Sequence, residues 1–172
     1  MYKSPPYDYG EETLLPSLWE AQEACLSIPH TGMVTAVNMG DPKELHPPRK
    51  REIGERFALL ALSDMYGRND VLWSGPVFSG IRIEGDAAVI SFDHTEGGLT
   101  SSDEKPLSCF AIAGPDGIFV PARAEIHGTT VAVKSERVKV PAFVRFAWTN
   151  TSLPNLCNGA GLPARPFRTD TR

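Results

Sequence analysis

The sequence predicts an α/β segment followed by an antiparallel β-sandwich-like unit, with the grammar changing near residue 67. Residues 14 to 66 read as helix, strand, helix. From residue 68 on, short apolar runs recur at spacings of about 8 to 12 residues, separated by Gly, Pro, Asp or Asn. Gly67 stands at the junction, where a glycine ends a helix. The division this predicts is 1–67 and 68–172. One strand and two helices do not close a doubly wound core, so the first segment reads as the tail of an α/β domain.

The elements follow in order. "SLWE", Ser17 to Glu20, fits a capping box, with the Ser17 hydroxyl and the Glu20 carboxylate satisfying free backbone N–H groups. Leu18, Ala21 and Cys25 then share a face. "MVTAV", Met33 to Val37, is apolar without alternation, as in a strand covered on both faces. After Pro47 and Pro48, Ile53, Phe57, Leu60 and Ala61 predict a helix over 48–66, with Glu52 and Arg56 placed to pair at i,i+4. The predicted strands are "VLWSG", "VFSGIRIEG", "AAVISFDH", "SCFAIAG", "IFVPARAEIHG", "TVAVKS" and "AFVRFAWTN". Reversals fall at "EGD", "PDG" and "HG". In the last strand Phe143, Arg145 and Ala147 oppose Val144, Phe146 and Trp148.

Bulk composition narrows the function. With 172 residues, 41% of them hydrophobic and 22% charged, the chain has ordinary globular usage. A net charge of −4 gives no basic face for nucleic acid. No apolar run approaches the ~20 residues of a membrane span, and "MYKSPPYDYGEE" lacks the apolar centre of a signal peptide. Cys25, Cys109 and Cys157 are widely spaced without a C-x-x-C pair, which reads as small buried residues, with Cys157 also open to a catalytic role.

The stretch "NMGDPKELHPPRK" carries the chemistry. In open α/β sheets, ligands sit beyond the carboxyl ends of the strands, and residues 38–46 form such a post-strand loop. His46 is the candidate general base. A base for a serine hydroxyl must be neutral, with a carboxylate holding its other ring nitrogen, and Asp41 and Glu44 are the nearby carboxylates. The rival reading makes His46 a polar residue flanking a helix start. His30, His94 and His127 read as loop residues. "SFDHTEGGL", with Asp93 and His94, reads either as the lining of a carbohydrate cleft or as a hairpin loop. "LPARPFRTD" offers Arg165 and Arg168 to a substrate carboxylate, or packs back on its own domain.

The colinear series "LWEAQ", "TGMV", "GDP…HP…K…GER.ALLAL", "GPVF", "SFDH…GGL", "F.IAG.DG.F.PA.A.I.G.TV.V.S" and "VRFAW.N…NL.N..GLPA.PFRTD", over residues 14 to 172, resembles the C-terminal part of the sialate O-acetylesterase family. Members of that family are SGNH-type serine esterases. The resemblance implies an SGNH-like α/β/α domain fragment fused to the β unit, with His46 as catalytic base. It puts the acidic partner just upstream, where family members read "D-x-G-D". Here Asn38 departs from that pattern and Asp41 keeps it, which leaves Asp41, Glu44 or a triad without a strong acid. The family's "G-Q-S-N"-like nucleophile element and its oxyanion donors have no counterpart here. A base without them cannot run acyl transfer.

The expectation is therefore the C-terminal portion of a carbohydrate O-acetylesterase, needing no metal or organic cofactor, acting on an acetylated carbohydrate and partnered by an N-terminal half. Substrate-binding residues stay unassigned. The family is often exported, so any leader would travel with that half. A non-catalytic carbohydrate-binding module and one half of a split enzyme are the alternatives.

Overall fold

The computed structural model describes residues 13–40, 46 and 48–170. Two helices, α1 (Leu14–Ala24) and α2 (Lys50–Asp64), precede ten strands. These are β1 (Val77–Glu84), β2 (Ala87–Asp93), β3 (Leu99–Ser101), β4 (Phe110–Ala113), β5 (Val120–Pro121), β6 (Arg123–His127), β7 (Thr130–Lys134), β8 (Phe143–Phe146), β9 (Leu156–Asn158) and β10 (Phe167–Arg168). The pairings are antiparallel throughout. One sheet runs β1-β2-β7-β6, a second β10-β8-β4-β5, and β3 pairs with β9.

Period-two alternation explains how these strands make a core. In β7 Val131 and Val133 point inward, and in β8 Val144 and Phe146 do, while Phe143 and Arg145 on the other face are only half-buried. Ala88, Ile90, Val131 and Val133 of the first sheet meet Phe110, Ile112, Val144 and Phe146 of the second in a single cluster. Phe167 anchors its rim: its ring stacks on Phe78 at 4.8 Å and meets Phe92 edge-on at 5.9 Å. The tight reversals fall where the glycines predict them. Gly85 turns β1 into β2 and Gly128 turns β6 into β7, with φ of 61° and 64°.

Four sequence expectations are corrected here. "VLWSG" forms no strand: Ser74, Gly75 and Pro76 are buried against Leu162 and Pro163, and the Ser74 carbonyl is satisfied by the Asn158 side chain at 3.0 Å instead of by a ladder. The alternation of β8 stops at Phe146. Ala147 turns left-handed (φ 51°), donates its N–H to the Cys109 carbonyl at 2.8 Å, and both it and Trp148 are buried. Met33 to Val37 is in no strand among the described residues, and no ladder pairs it with any of the sheets. Finally, α1 starts at Leu14, so Ser17 lies inside its first turn and bonds the Thr13 carbonyl at 2.9 Å. With Thr13 at the N-cap the Ser17–Glu20 capping box does not form, and Glu20 pairs with Arg168.

In α2 the expected apolar face is only partly the buried one. Phe57 is 52% exposed, and Arg56 is the buried residue of the helix. Glu52 pairs with Arg49 at 2.9 Å rather than with Arg56. The helical segment is tied to the β unit by polar contacts: Leu15 N–H to Asn150 Oδ1 at 2.8 Å, Arg165 to Glu23 at 3.2 Å, and a two-pronged Arg168–Glu20 pair at 2.9 and 2.7 Å.

Candidate functional site

The loop that carries His46 is rooted in residues 33–40. Val37–Met39 forms a single 3-10 turn, closed by the Met39 N–H on the Ala36 carbonyl at 2.9 Å, and the Met39 side chain is buried. Asn38 is held from α2. Both terminal nitrogens of Arg56 donate to Asn38 Oδ1 at 3.1 Å, one of them also to the Thr35 carbonyl at 2.5 Å, and Arg49 reaches the Asn38 carbonyl at 3.5 Å. Burial pulls the Arg56 guanidinium below its ordinary value. Its hydrogen-bond partners are a carbonyl and an amide, so the residue that departs from "D-x-G-D" leaves a buried cation on neutral acceptors.

His46 is exposed and lies just before α2. Asp41 and Glu44, the two candidates for its acidic partner, lie outside the described residues. His30 is exposed, and His127 is exposed at the β6–β7 turn. His94 is half-buried, its ring 5.6 Å from Trp73 and its carbonyl accepting from Asn158 Nδ2 at 3.2 Å. Asp93 is exposed at the end of β2.

The Gly-rich loop after β2 has a structural use. Gly97 and Gly98 take φ of 76° and 85°, and Gly97 packs directly on Gly159, whose N–H donates to the Glu96 and Gly98 carbonyls at 3.2 and 2.9 Å. A side chain at Gly159 would collide with the Gly97 carbonyl. Cys157 is buried, and burial pushes its thiol up, away from the reactive thiolate. No group of three or more His, Cys, Asp or Glu among the described residues is arranged to hold a metal ion. No described helix is long and apolar enough to cross a membrane.

A cleft of about 620 Å³ opens between α1, residues 33–37 and the β unit. That volume lies within the roughly 300–1,000 Å³ of small-molecule sites. Trp19 from α1, Phe78 from β1 and Trp148 after β8 line it, together with Glu20, Glu23, Arg165 and Arg168. Gly40, the last described residue before the Asp41–His46 loop, is also in its wall. Arg168 lies over the Trp148 ring at 5.4 Å, and the Glu20 carboxylate raises it above its ordinary value. Neither Asp93 nor His94 is among the lining residues. The sequence reading identified Arg165 and Arg168 but missed Trp19, Trp148 and the two glutamates. The signal was present in "LWEAQE" and "FAWTN", but nothing in a linear reading joins two tryptophans from opposite ends of a chain.

No protein-family model matches the chain, and no curated protein matches it. Among solved structures it is similar to the crystal structure of a carbohydrate acetylesterase from Xanthomonas citri, at 38% sequence identity and a TM-score of 0.89. The match covers 96% of this chain and 38% of that one, so the chain spans well under half the length of its structural neighbour. The β-rich architecture is thus similar to that of a part of this carbohydrate acetylesterase.

Proposed function

We propose that this chain forms the C-terminal, base-bearing portion of a carbohydrate O-acetylesterase, with the nucleophilic serine and the oxyanion donors supplied by an N-terminal portion. The observation that carries this reading is the 0.89 TM-score at 38% identity to a carbohydrate acetylesterase, over nearly the whole chain. The His-Pro element at His46, the Arg56 clamp at the root of its loop, and the cleft ending at Gly40 support it.

In the proposed reaction His46 removes the proton from the serine hydroxyl as the oxygen attacks the acetyl carbonyl, and Asp41 orients the imidazole. Collapse of the tetrahedral intermediate expels the sugar hydroxyl, which takes its proton from His46. Water then repeats the sequence on the acetyl-enzyme, releasing acetate and restoring the serine. The helical segment, taken as residues 1–67, is the remnant of the SGNH-like domain and meets the N-terminal portion, while residues 68–172 form the accessory β unit.

The test is hydrolysis of p-nitrophenyl acetate by this chain together with a polypeptide that carries the nucleophilic serine and the oxyanion donors. The mixture is expected to turn over, and His46→Ala to lower kcat by about a thousandfold or more. Equal rates for wild type and His46→Ala would remove the catalytic assignment. A second reading, a carbohydrate-binding module without hydrolysis, is favoured by one observation: the described residues form a cleft lined by Trp19, Glu20 and Arg168, whereas no serine has the nucleophile's sequence context. Sugar binding with no hydrolysis in any mixture would select it.

A further inference from the structure

Arg56 is the buried residue of α2, and hydrophobicity does not put it there. The chain from Gly32 to Asn38 runs along one face of that helix in the opposite direction. Gly32 lies against Leu60, where a Cβ would meet Leu60 Cδ2 at 2.7 Å. Further along, Arg56 donates to the Thr35 carbonyl at 2.5 Å and to Asn38 Oδ1 at 3.1 Å. At the far end Arg49 reaches the Asn38 carbonyl at 3.5 Å. Positions 49, 56 and 60 recur at helical spacing, so these contacts share one face. They converge on Asn38, in the 3-10 turn Val37–Met39, which is also fixed from the other side: Met39 is buried and Val37 packs against the β core. Asn38 is where α2 holds the chain before it leaves toward His46, and Arg49 is where it returns. The two ends of the loop that carries His46 are thus bound to each other across residues 39–48.

A guanidinium is a costly group to bury, and a well-packed apolar side chain at position 56 would serve stability at least as well. An apolar side chain could not fix a direction. Here both terminal nitrogens meet the Asn38 side-chain oxygen and one of them also meets the Thr35 carbonyl, which sets residues 35 and 38 against the second turn of α2 in one arrangement. A general base must stand within hydrogen-bond reach of the proton it takes, and a displacement of about 1 Å costs on the order of a hundredfold in rate. We infer that Arg56 is a positioning residue: through Asn38 it closes the base of the His46 loop and so sets where the imidazole stands. Its effect passes through His46 rather than through substrate. This role rests on the esterase reading for what His46 does, whereas the closure of the loop does not depend on it.

The test has two arms. The first is NMR of the isotopically labelled full chain by itself. Arg56→Gln and Asn38→Leu remove the clamp from either side, and each is expected to move the His46 imidazole Cε1–H signal toward its value in an unfolded chain while those of His94 and His127, in the β unit, stay in place. The second is hydrolysis of p-nitrophenyl acetate by the chain together with a polypeptide that carries the nucleophilic serine and the oxyanion donors. Arg56→Gln is expected to lower kcat by about a hundredfold and to leave KM within about twofold. In a His46→Ala background the same substitution is expected to lower the residual rate no further, because nothing is left for it to position. A loss by the same factor in both backgrounds is the signature of a packing role and would overturn the inference, and so would a His46 signal that stays in place in both variants. If Arg56→Gln does not fold, seen as displaced His94 and His127 signals, Asn38→Leu serves in both arms. Hydrolysis that His46→Ala leaves unchanged removes the esterase reading alone, and the NMR arm then decides whether Arg56 places His46.

Discussion

The helical segment and the β unit bury their side chains very differently. In the β unit Ile90, Ile112, Val131, Val133, Val144 and Phe146 are fully enclosed between two sheets of the same chain. In residues 13–66 the buried residues among those described are Pro16, Met39 and Arg56, while Leu14, Leu18, Ile28, Phe57, Leu62 and Met65 are exposed, Met65 at 77%. These exposures leave the helical segment without an enclosed apolar core among the described residues. The β unit closes on itself; the helical segment is held to it by ion pairs and by Val37 packed against its core. Stability therefore resides mainly in the β unit, and the cleft lies at the junction.

The largest break in this contrast comes from one phenylalanine in each region. Phe146→Ala empties a fully enclosed site and is expected to cost about 3–5 kcal/mol in urea unfolding. Phe57→Ala, at a half-exposed site, is expected to change the same measurement by less than about 0.5 kcal/mol. A comparable loss at both positions would mean that the helical segment has a closed core of its own.

The next effect sharpens the junction. Arg56 is a buried cation on neutral acceptors, so Asn38→Asp gives it a carboxylate at the position Asn38 now occupies. This substitution is expected to raise stability by about 1.5 kcal/mol at neutral pH, read from the thermal or urea midpoint. A neutral or destabilising result would show that Arg56 needs no counter-charge.

A smaller effect depends on pH. Burial alone would raise the Asp170 carboxyl, but the Arg145 guanidinium beside it, at 3.1 and 2.5 Å, holds it below the usual carboxylate value. A carboxyl whose folded pKa is depressed stabilises the fold above its unfolded value near 3.9, and that contribution is lost as the pH falls through the folded value. Asp170→Asn is therefore expected to cost about 1 kcal/mol at pH 7 and progressively less below about pH 4. A cost independent of pH would assign the loss to packing. Smallest of all is Arg51→Ala. Its pair with Glu55 spans 2.8 Å, but the arginine side chain is 90% exposed, so the change should stay within about 0.5 kcal/mol.

The same contrast explains what was legible in the sequence. Hairpins and inward positions of the β unit were readable because local rules govern them: glycines at Gly85, Gly117 and Gly128 take positive φ, and period-two alternation places Val131, Val133 and Val144. Strands β3, β9 and β10 were not readable, being two or three residues long and defined by distant partners such as Leu99 with Asn158. In the helical segment, local rules failed where tertiary contacts outbid them. Glu20 left its capping role for Arg168, 148 residues away, and Arg56 was buried by its hydrogen bonds to Thr35 and Asn38 rather than by hydrophobicity. Met33 to Val37 has the pattern of a doubly covered strand without the neighbours that would make it one. His46 is a candidate from its motif alone, whereas the cleft needed the fold to bring Trp19 and Trp148 into one wall.

Amide hydrogen exchange on the chain alone tests the contrast most directly. The account predicts that amides of β2, β4, β7 and β8 exchange only through global unfolding, while those of α1 and α2 exchange faster. Uniform protection of helices and strands in the isolated chain would contradict it.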